Sequence, residues 1–463
     1  MRRTAGWIIA CWVCLFSDNA VGQTLSYKEY LYWVLQEHPV AKNAQIISQK
    51  GEAVYDQTKG ILDPVLVSKW KQKALGDTKY YNQSQTSIAV QTPFALQFIG
   101  QVDVNNGSYL NPENYTGKDG LMTMGIALPI LQGLVIDETR LALRRAELLQ
   151  SMSLLEKQMA INELLFQSTI LYLDWWAAER RQSVSNELLS VAQERLNAVR
   201  TRFEMGDRSA MDTLEAHAQF QNRMMNWQDA QVAVIKSRLA LVAFADEQDG
   251  KKNILALNVS PDYTELAQLQ SAGLTVITQE SLMGHPEIQW YSSKIKMLEW
   301  EEKWKREKLK PKLNVQYNFL KQGIDSQNQN QFAMNNYRWG IDFAFPIFLR
   351  DARGDLQMQR LQIDESNNDR DWKVNSIAQK AQAFDQQILV LNNQIQSAEK
   401  NAKVYRQLWQ AEQMRFLNGE SNVFMVNQRE NNWLESETKT IDYQRKWIES
   451  KAQKIQLMYL PYN

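Results

Sequence analysis

Histidine is the first side chain to consider for catalysis or metal binding, because imidazole acts both as a general base and as a metal ligand near neutral pH. The chain contains three, His38, His217 and His285, and none has a partner at a metal-ligand spacing. His38 and His285 each stand directly before a proline, which favours an architectural role. The sequence contains no nucleophile motif, phosphate-binding loop or zinc signature. We therefore expect no enzymatic activity, no catalytic residue, no cofactor and no metal site.

A pair of carboxylates offers electrostatic rather than catalytic chemistry. Asp212 and Glu215 are separated by three positions in a segment of helical character, so both lie on one helix face. Such a pair could line the entrance of a pore and favour cations, or it could be a solvated surface pair. From the residues alone, the surface pair is the simpler interpretation.

The start of the chain, residues 1–22, has the pattern of an export signal. A basic start and an apolar stretch over residues 7–16 precede small residues that predict cleavage before Gln23. Both cysteines, Cys11 and Cys14, fall inside this segment, so the exported chain would contain no disulfide and no thiolate metal site. The residues before Cys11 weakly resemble a lipoprotein cleavage site, but the apolar run ahead of it is too short, which argues against lipid attachment.

Composition excludes several classes of protein. The chain has 463 residues, 44% of them hydrophobic, which is globular composition but too long for one ordinary core. Its 52 basic and 52 acidic residues leave no positive excess, which argues against nucleic acid as a partner. After the export signal, no segment offers a continuous apolar run of membrane-spanning length. If the exported chain crosses a membrane, it must do so as a closed β-barrel.

The two halves of the chain repeat each other's landmarks in the same order. The pairs are His38-Pro39 with His285-Pro286, Pro64 with Pro311, Leu128-Pro129-Ile130 with Phe345-Pro346-Ile347, and Arg202-Phe203-x-x-Gly206 with Arg415-Phe416-x-x-Gly419. The first two pairs are separated by 247 positions, the third by 217 and the fourth by 213. Proline and glycine mark where elements start and stop, so the shared spacing indicates a tandem duplication.

The duplication divides the exported chain into two structural repeats and a connector. The first repeat covers residues 23–249, the connector 250–275 and the second repeat 276–463. Each repeat predicts a helix near its proline, from Pro39 to about Ile61 in the first and from about Thr278 through Pro286 to Leu309 in the second. Strands, a long helix and a returning helix follow in each. The strands are predicted within residues 64–131 and 312–346, where alternating side chains are interrupted by polar turn residues.

The long helices carry the clearest periodicity. One is predicted from about residue 135 to 203 and ends at a tip near Gly206; the other is predicted from about 351 to 417 and ends at a tip near Gly419. The apolar seam of the second helix steps alternately by four and three residues: Ile377, Ala381, Phe384, Ile388, Leu391, Ile395, Ala398, Ala402, Tyr405 and Trp409. A sustained repeat of about 3.5 residues indicates helices packed in coiled-coil fashion.

The two strand segments differ in length. Pro64 and Pro129 are 65 positions apart, whereas Pro311 and Pro346 are 35 apart, so the first segment carries 30 extra residues. They could form a long external loop or an additional pair of strands. The first segment is also rich in aromatic residues, which fit a girdle at a membrane interface and fit ordinary strand packing equally well.

Taken together, these motifs resemble the TolC family of outer-membrane efflux channels over nearly the whole exported chain. The resemblance implies a fold that is α+β and mostly α, internally duplicated, with long coiled-coil-like helices forming an α-barrel and strands contributing to a trimeric transmembrane β-barrel. It implies a homotrimer in outer-membrane lipid of a Gram-negative bacterium, with a tunnel through the periplasm. The partners implied are a periplasmic adaptor protein and an inner-membrane transporter. Family barrels take four strands from each protomer, and the extra residues leave six as the alternative here.

The resemblance also suggests site residues. The hairpin tips would dock the adaptor, through Arg202, Phe203, Gly206, Arg415, Phe416 and Gly419. Family members can carry acidic residues after the second tip that constrict the periplasmic entrance, but Met425 and Gln428 stand there in this chain. Only Asp212 and Glu215 are placed to form an acidic entrance, so cation selectivity by the usual ring is in doubt.

Two other functions remain open from the sequence. A periplasmic coiled-coil scaffold or adaptor without a membrane barrel would use the same long helices, although two hairpins, each preceded by strands, fit a channel better. A secreted enzyme is the more distant alternative, and it would require a metal site or catalytic dyad in the folded chain. The cargo of a channel could be drugs, metals, small metabolites or a secreted protein.

Overall fold

The structure is a computed structural model that describes residues 24–116, 119–245, 260–262, 282–323, 332 and 334–460. The predicted export signal lies outside the described residues, and so does most of the connector predicted over 250–275.

The first repeat begins with two short helices, each started by a side-chain cap. After strand β1 (Thr24–Leu25), helix α1 covers Tyr27–Glu37 and helix α2 covers Pro39–Lys59. The Ser26 hydroxyl accepts from the Glu29 amide at 3.1 Å at the start of α1. Proline suits the first turn of α2 because it has no amide hydrogen to leave unpaired. A short 3-10 turn then leads into the sheet.

Six strands form one antiparallel sheet. The first segment supplies four of them, β2 (Val65–Leu75), β3 (Thr78–Gln91), β4 (Gln97–Asn106) and β5 (Leu121–Pro129). A two-residue strand, β6 (Ser260–Pro261), pairs with β1, and the second segment supplies β7 (Lys312–Gln322) and β8 (Tyr337–Ala344). The order in the sheet is β2-β3-β4-β5-β7-β8. The extra residues of the first segment therefore include strands, and the sheet has six strands rather than four.

Five longer helices complete the described residues. They are α3 (Glu138–Glu204), α4 (Ala210–Ala245), α5 (Pro286–Glu307), α6 (Arg350–Leu417) and α7 (Val423–Met458). Helices α3 and α6 contain 67 and 68 residues, so each is about 100 Å long at 1.5 Å per residue. Both were predicted to within three residues. Within the described residues, no helix is sufficiently long and apolar to span a membrane.

The helices pack as two antiparallel hairpins, α3 with α4 and α6 with α7. Every residue of the predicted α6 seam is buried or half-buried, so the seam faces the neighbouring helices. One apolar core joins α1, α3, α4 and α7 around Tyr27, Tyr172 and Trp175. A second core joins the two hairpins near their tips and contains stacked Trp409 and Trp433. The two repeats are thus held together along their helices as well as through the sheet.

Candidate functional site: hairpin tips and sheet faces

The two hairpin tips have the same backbone geometry. Gly206 and Gly419 both have φ of +80°, a conformation that residues with a Cβ rarely adopt. The Gly206 amide donates to the Phe203 carbonyl at 2.9 Å, and the Gly419 amide donates to the Phe416 carbonyl at 3.1 Å. These bonds satisfy carbonyls left free at the helix ends, as in a glycine C-cap.

Each returning helix also starts with an equivalent side-chain cap. At the first tip, the Ser209 hydroxyl accepts from the Asp212 amide at 3.2 Å, and the Asp212 carboxylate accepts from the Ser209 amide at 3.3 Å. At the second tip, Asn422 accepts from the Met425 amide at 2.9 Å. Asp212 therefore completes a capping box, which gives it a structural role independent of any pore. The neighbouring Glu215 is half-buried one turn further along.

Arginines of the first tip hold the second tip beside it. Arg202 donates to the Leu417 carbonyl at 2.8 Å. Arg208 donates to the Phe416 carbonyl at 3.4 Å, and its guanidinium lies 4.7 Å from the centre of the Phe416 ring. Arg415 instead pairs within its own hairpin, with Glu412 at 3.7 Å. The structure thus places the two tips side by side, with the six predicted tip residues at the same end of the paired hairpins.

The tips differ in what they offer to a partner. Phe203 is 45% exposed, whereas its repeat equivalent Phe416 is only 3% exposed and belongs to the core between the hairpins. Phe416 therefore supports the tip from inside and leaves contact with a partner to other side chains. Other large apolar residues around both tips are exposed: Met205, Met211, Leu214, Met414, Leu417 and Phe424. Sequence motifs located the tips but did not distinguish these exposed residues from the buried phenylalanine.

A buried charge cluster lies behind the tips and was missed by the sequence analysis. The Glu430 carboxylate accepts from Arg195 at 2.5 Å and from Arg223 at 2.7 Å. Asn427 and Asn431 accept the remaining guanidinium bonds at 2.8 Å and 2.6 Å. Glu430 is fully buried, and the cluster ties α3 and α4 of one hairpin to α7 of the other. Such a cluster fixes the relative position of the hairpins, because moving them apart would leave a buried charge without its partner.

The histidines at equivalent repeat positions are helix caps, a specific form of the architectural role predicted for them. Nδ1 of His38 accepts from the Val40 amide at 3.0 Å, and Nδ1 of His285 accepts from the Glu287 amide at 3.2 Å. Nε2 of His285 also lies 2.8 Å from the Leu457 carbonyl. Burial lowers the pKa of His285 below its usual value, since the charged imidazolium loses solvation. Among the described residues, no group of potential ligands could hold a metal ion.

The sheet has one apolar and one mostly polar face. Register places Trp70, Phe98, Met124, Tyr317 and Trp339 on the same face, since paired residues point to the same side and alternate along each strand. The opposite face carries Lys71, Gln83, Asn105, Thr123, Gln316, Asn318 and Arg338. Most residues of the apolar face are exposed or half-exposed, so no other part of the described chain covers that face. Side chains therefore alternate between an apolar and a mostly polar face along the strands.

The polar face of the sheet continues into a cavity among the helix starts. This cavity of about 850 Å³ is lined by Gln97, Asn314 and Gln316 of the polar face. Glu138, at the start of α3, and Asp351, at the start of α6, line it from the helical side. The polar face of the sheet is therefore continuous with a cavity that reaches the starts of the long helices.

The chain thus combines two long helical hairpins with a two-faced antiparallel sheet of six strands. No protein-family model matches the sequence, and comparison with curated proteins finds no similar sequence. Comparison with solved structures gives strong matches over nearly the whole chain. The chain is similar to the CmeC outer membrane channel of Campylobacter jejuni, with 14% identity, TM-score 0.63, and coverage of 93% of this chain and 85% of that one.

Two further structures give the same result. The outer membrane protein VceC of Vibrio cholerae matches with 12% identity and TM-score 0.66, covering 93% of this chain and 95% of that one. The open state of the MtrE outer membrane channel of Neisseria gonorrhoeae matches with 14% identity and TM-score 0.64, covering 93% and 88%. The fold is therefore that of TolC-type outer-membrane channels, which confirms the fold class expected from the sequence resemblance.

Proposed function

We propose that this protein is the outer-membrane channel of a tripartite efflux or type I secretion system. It would act as a passive conduit from the periplasm to the exterior of a Gram-negative cell, working with a periplasmic adaptor and an inner-membrane transporter. Transport of this kind needs no catalytic residue. The observation that carries the proposal is the sheet, whose apolar face is uncovered while its polar face opens onto the helical end.

The sheet also provides the reason for oligomerisation. Strands β2 and β8 are its two edges, and neither has a second strand on its outer side among the described residues. Unpaired backbone groups in lipid are costly, so the edges need to be joined. Because neighbouring strands are antiparallel throughout, β8 runs antiparallel to β2 and can pair with β2 of a second copy. Three copies of a six-stranded sheet would close a barrel of eighteen strands, since three times six is eighteen.

The tips are the proposed contact with the adaptor. Gly206 and Gly419 form the two turns. The hydrogen bond from Arg202 to the Leu417 carbonyl and the ion pair of Arg415 with Glu412 stabilise the conformation of the tips. Phe203 is exposed and available for contact. The exposed methionines and leucines around both tips would add apolar contact area.

Asp212 and Glu215 lie at the start of the returning helix and would face the periplasmic entrance. The capping role of Asp212 favours the view that the entrance is not an acidic ring in this protein.

The test is expression of the full chain with its export signal, followed by outer-membrane extraction, native mass spectrometry and conductance in planar bilayers. A detergent-extracted trimer that conducts ions is the expected result. A proline at Ile341 in the edge strand β8 should prevent trimer closure because it removes an amide donor from the open edge. The bond from the Leu320 amide to the Asn336 carbonyl sets the register in which even-numbered residues of β8 face β7 and odd-numbered ones face outwards. A proline at Gly284, in the turn before α5, serves as the control. A soluble monomer without conductance would favour the periplasmic scaffold instead.

A further inference from the structure

The first strand of the sheet carries a column of lysines on the polar face. Lys69, Lys71 and Lys73 occupy alternate positions of β2, so all three point to the same side. Their cross-strand partners are Gln85, Gln83 and Tyr81. Same-face neighbours on a strand are about 7 Å apart, so the column extends over about 14 Å. All three lysines are exposed.

The polar face as a whole has an excess of positive charge. Within the described strands, register places five basic residues on it, Lys69, Lys71, Lys73, Lys312 and Arg338, against two acidic residues, Asp103 and Asp342. The chain is neutral overall, with 52 basic and 52 acidic residues, so this excess is a local segregation.

Few carboxylates neutralise the lysine column. In the described part of the chain, neither Lys69 nor Lys71 has a carboxylate within ion-pair distance, and the Lys73 ammonium lies 4.7 Å from the centre of the Tyr80 ring. Asp103 faces the same side two strands away, about 10 Å from the column, and accepts a hydrogen bond from Gln101 at 2.7 Å. The positive charge of the column is therefore available to attract solutes in the lumen, since it is not neutralised by a neighbouring carboxylate.

We infer that the lysine column makes the barrel lumen a low-affinity binding surface for anionic solutes, so that the cargo class favoured at the exit is anionic. The inference rests on the proposed function, because it requires the polar face to line a water-filled lumen. In water, one lysine about 7 Å away enriches a monovalent anion about threefold, and the effect is screened over about 8 Å at physiological salt. Closure would place Arg338, on edge strand β8, on the same wall as the column of the next copy.

A single introduced thiol can measure the local potential independently of any constriction at the tips. The only cysteines, Cys11 and Cys14, fall in the predicted export signal, so the parent protein is an unreactive blank. Gln83→Cys places a thiol opposite Lys71 on the lumen face, and Ser84→Cys places one on the apolar face. The probes are sulfonatoethyl methanethiosulfonate, which is anionic, and trimethylammonium-ethyl methanethiosulfonate, which is cationic. Both transfer their thiol group to the thiolate and release sulfinate, so the ratio of the two rates cancels the thiol pKa.

The expected result is an anionic-to-cationic rate ratio that is higher for Gln83→Cys in the reconstituted trimer than for a small free thiol in solution, a comparison that removes the faster intrinsic reaction of the cationic probe. Changing all three lysines to glutamine should lower the anionic-to-cationic rate ratio on the order of tenfold, whereas changing them to arginine should preserve it. Lys321→Gln, on the apolar face of the same sheet, is the matched control and should leave the ratio unchanged. High salt should reduce the effect.

Two results would overturn the inference while leaving the channel function intact. One is a rate ratio at position 83 of a conducting trimer that is no higher than that of the free thiol. The other is a ratio that the lysine-to-glutamine changes do not alter. Equal labelling of positions 83 and 84 by both probes, in protein that neither forms trimers nor conducts, would refute the proposed function and this inference together.

Discussion

Replacing Glu430 with glutamine should loosen the two hairpins near their tips. Glu430 is fully buried and accepts from Arg195 at 2.5 Å and from Arg223 at 2.7 Å. Glutamine keeps the shape but removes the negative charge, and its amide has one acceptor oxygen for two guanidinium groups. Breaking a buried charge pair by removing one partner costs about 3–5 kcal/mol. At about 1.4 kcal/mol per factor of ten, local opening should become roughly 100- to 3000-fold more frequent.

Amide hydrogen exchange on the detergent-solubilised protein measures this opening directly. Residues 190–200 of α3 and 424–434 of α7 should exchange faster in Glu430→Gln, while the sheet keeps its protection. Glu435→Gln is the matched control, because Glu435 lies on the same helix and its ion pair with Lys439 is exposed on both sides. Its exchange should match that of the parent protein. An increase of less than tenfold in Glu430→Gln would show that the cluster does not hold the hairpins together.

Three further changes test other parts of the structure. Changing Gly206 or Gly419 to leucine should destabilise the tip conformation by about 1–2 kcal/mol, because φ is +80° at both glycines. The change should impair export without preventing trimer assembly. Export assays beside native gels would check this, and normal export by the double variant would contradict it. His285 has a pKa below its usual value of 6.5 in the folded protein, so folding favours the neutral imidazole. The resulting contribution to the free energy of unfolding is fully present above pH 6.5. It should be lost as the pH falls from 6.5 towards the folded-state pKa. Thermal melting of the protein should show this loss, and His285→Asn should lack it; identical pH profiles would refute the assignment. Gly51→Val should separate α2 from α3, because an added Cβ would lie 2.1 Å from Oγ and 2.9 Å from Cβ of Ser153, and overpacking costs about 1–3 kcal/mol in melting experiments. An unchanged melting temperature would show that the helices can adjust.

The helical part of the fold was predictable because its signals are local. Proline and glycine mark the ends of the elements, and the period of the seam is set by helix geometry alone. His38 and His285 were correctly interpreted as architectural because their shared position before a proline implies a shared cap.

The strand count could not be settled from the sequence. Strand β3 carries Asn82, Gln83, Ser84 and Gln85 in succession, which looks like a loop when the strand's surroundings are unknown. It is a strand because it pairs with β2 on one side and β4 on the other, and its pairing with β2 is set by a tight turn at Gly76 and Asp77, both with positive φ.

The tip site was predicted only in part, for a different reason. The motifs identified where the chain turns, but burial of Phe416 depends on contact with the other hairpin. The cluster of Arg195, Arg223 and Glu430 joins residues more than 200 positions apart, and no spacing rule connects them. Contacts of this kind follow from how the hairpins pack, which the sequence periodicity does not specify.

If three copies assemble as proposed, the open edges of the sheet affect how much of this protein a cell needs to make. Within the described residues, an isolated copy has two sheet edges without an outer partner, and such edges can pair with any extended chain. Encounter frequency falls steeply with dilution when several subunits must meet. At low synthesis rates, newly exported copies would spend longer exposed to periplasmic proteases, and the yield of finished pores would drop faster than the rate of synthesis.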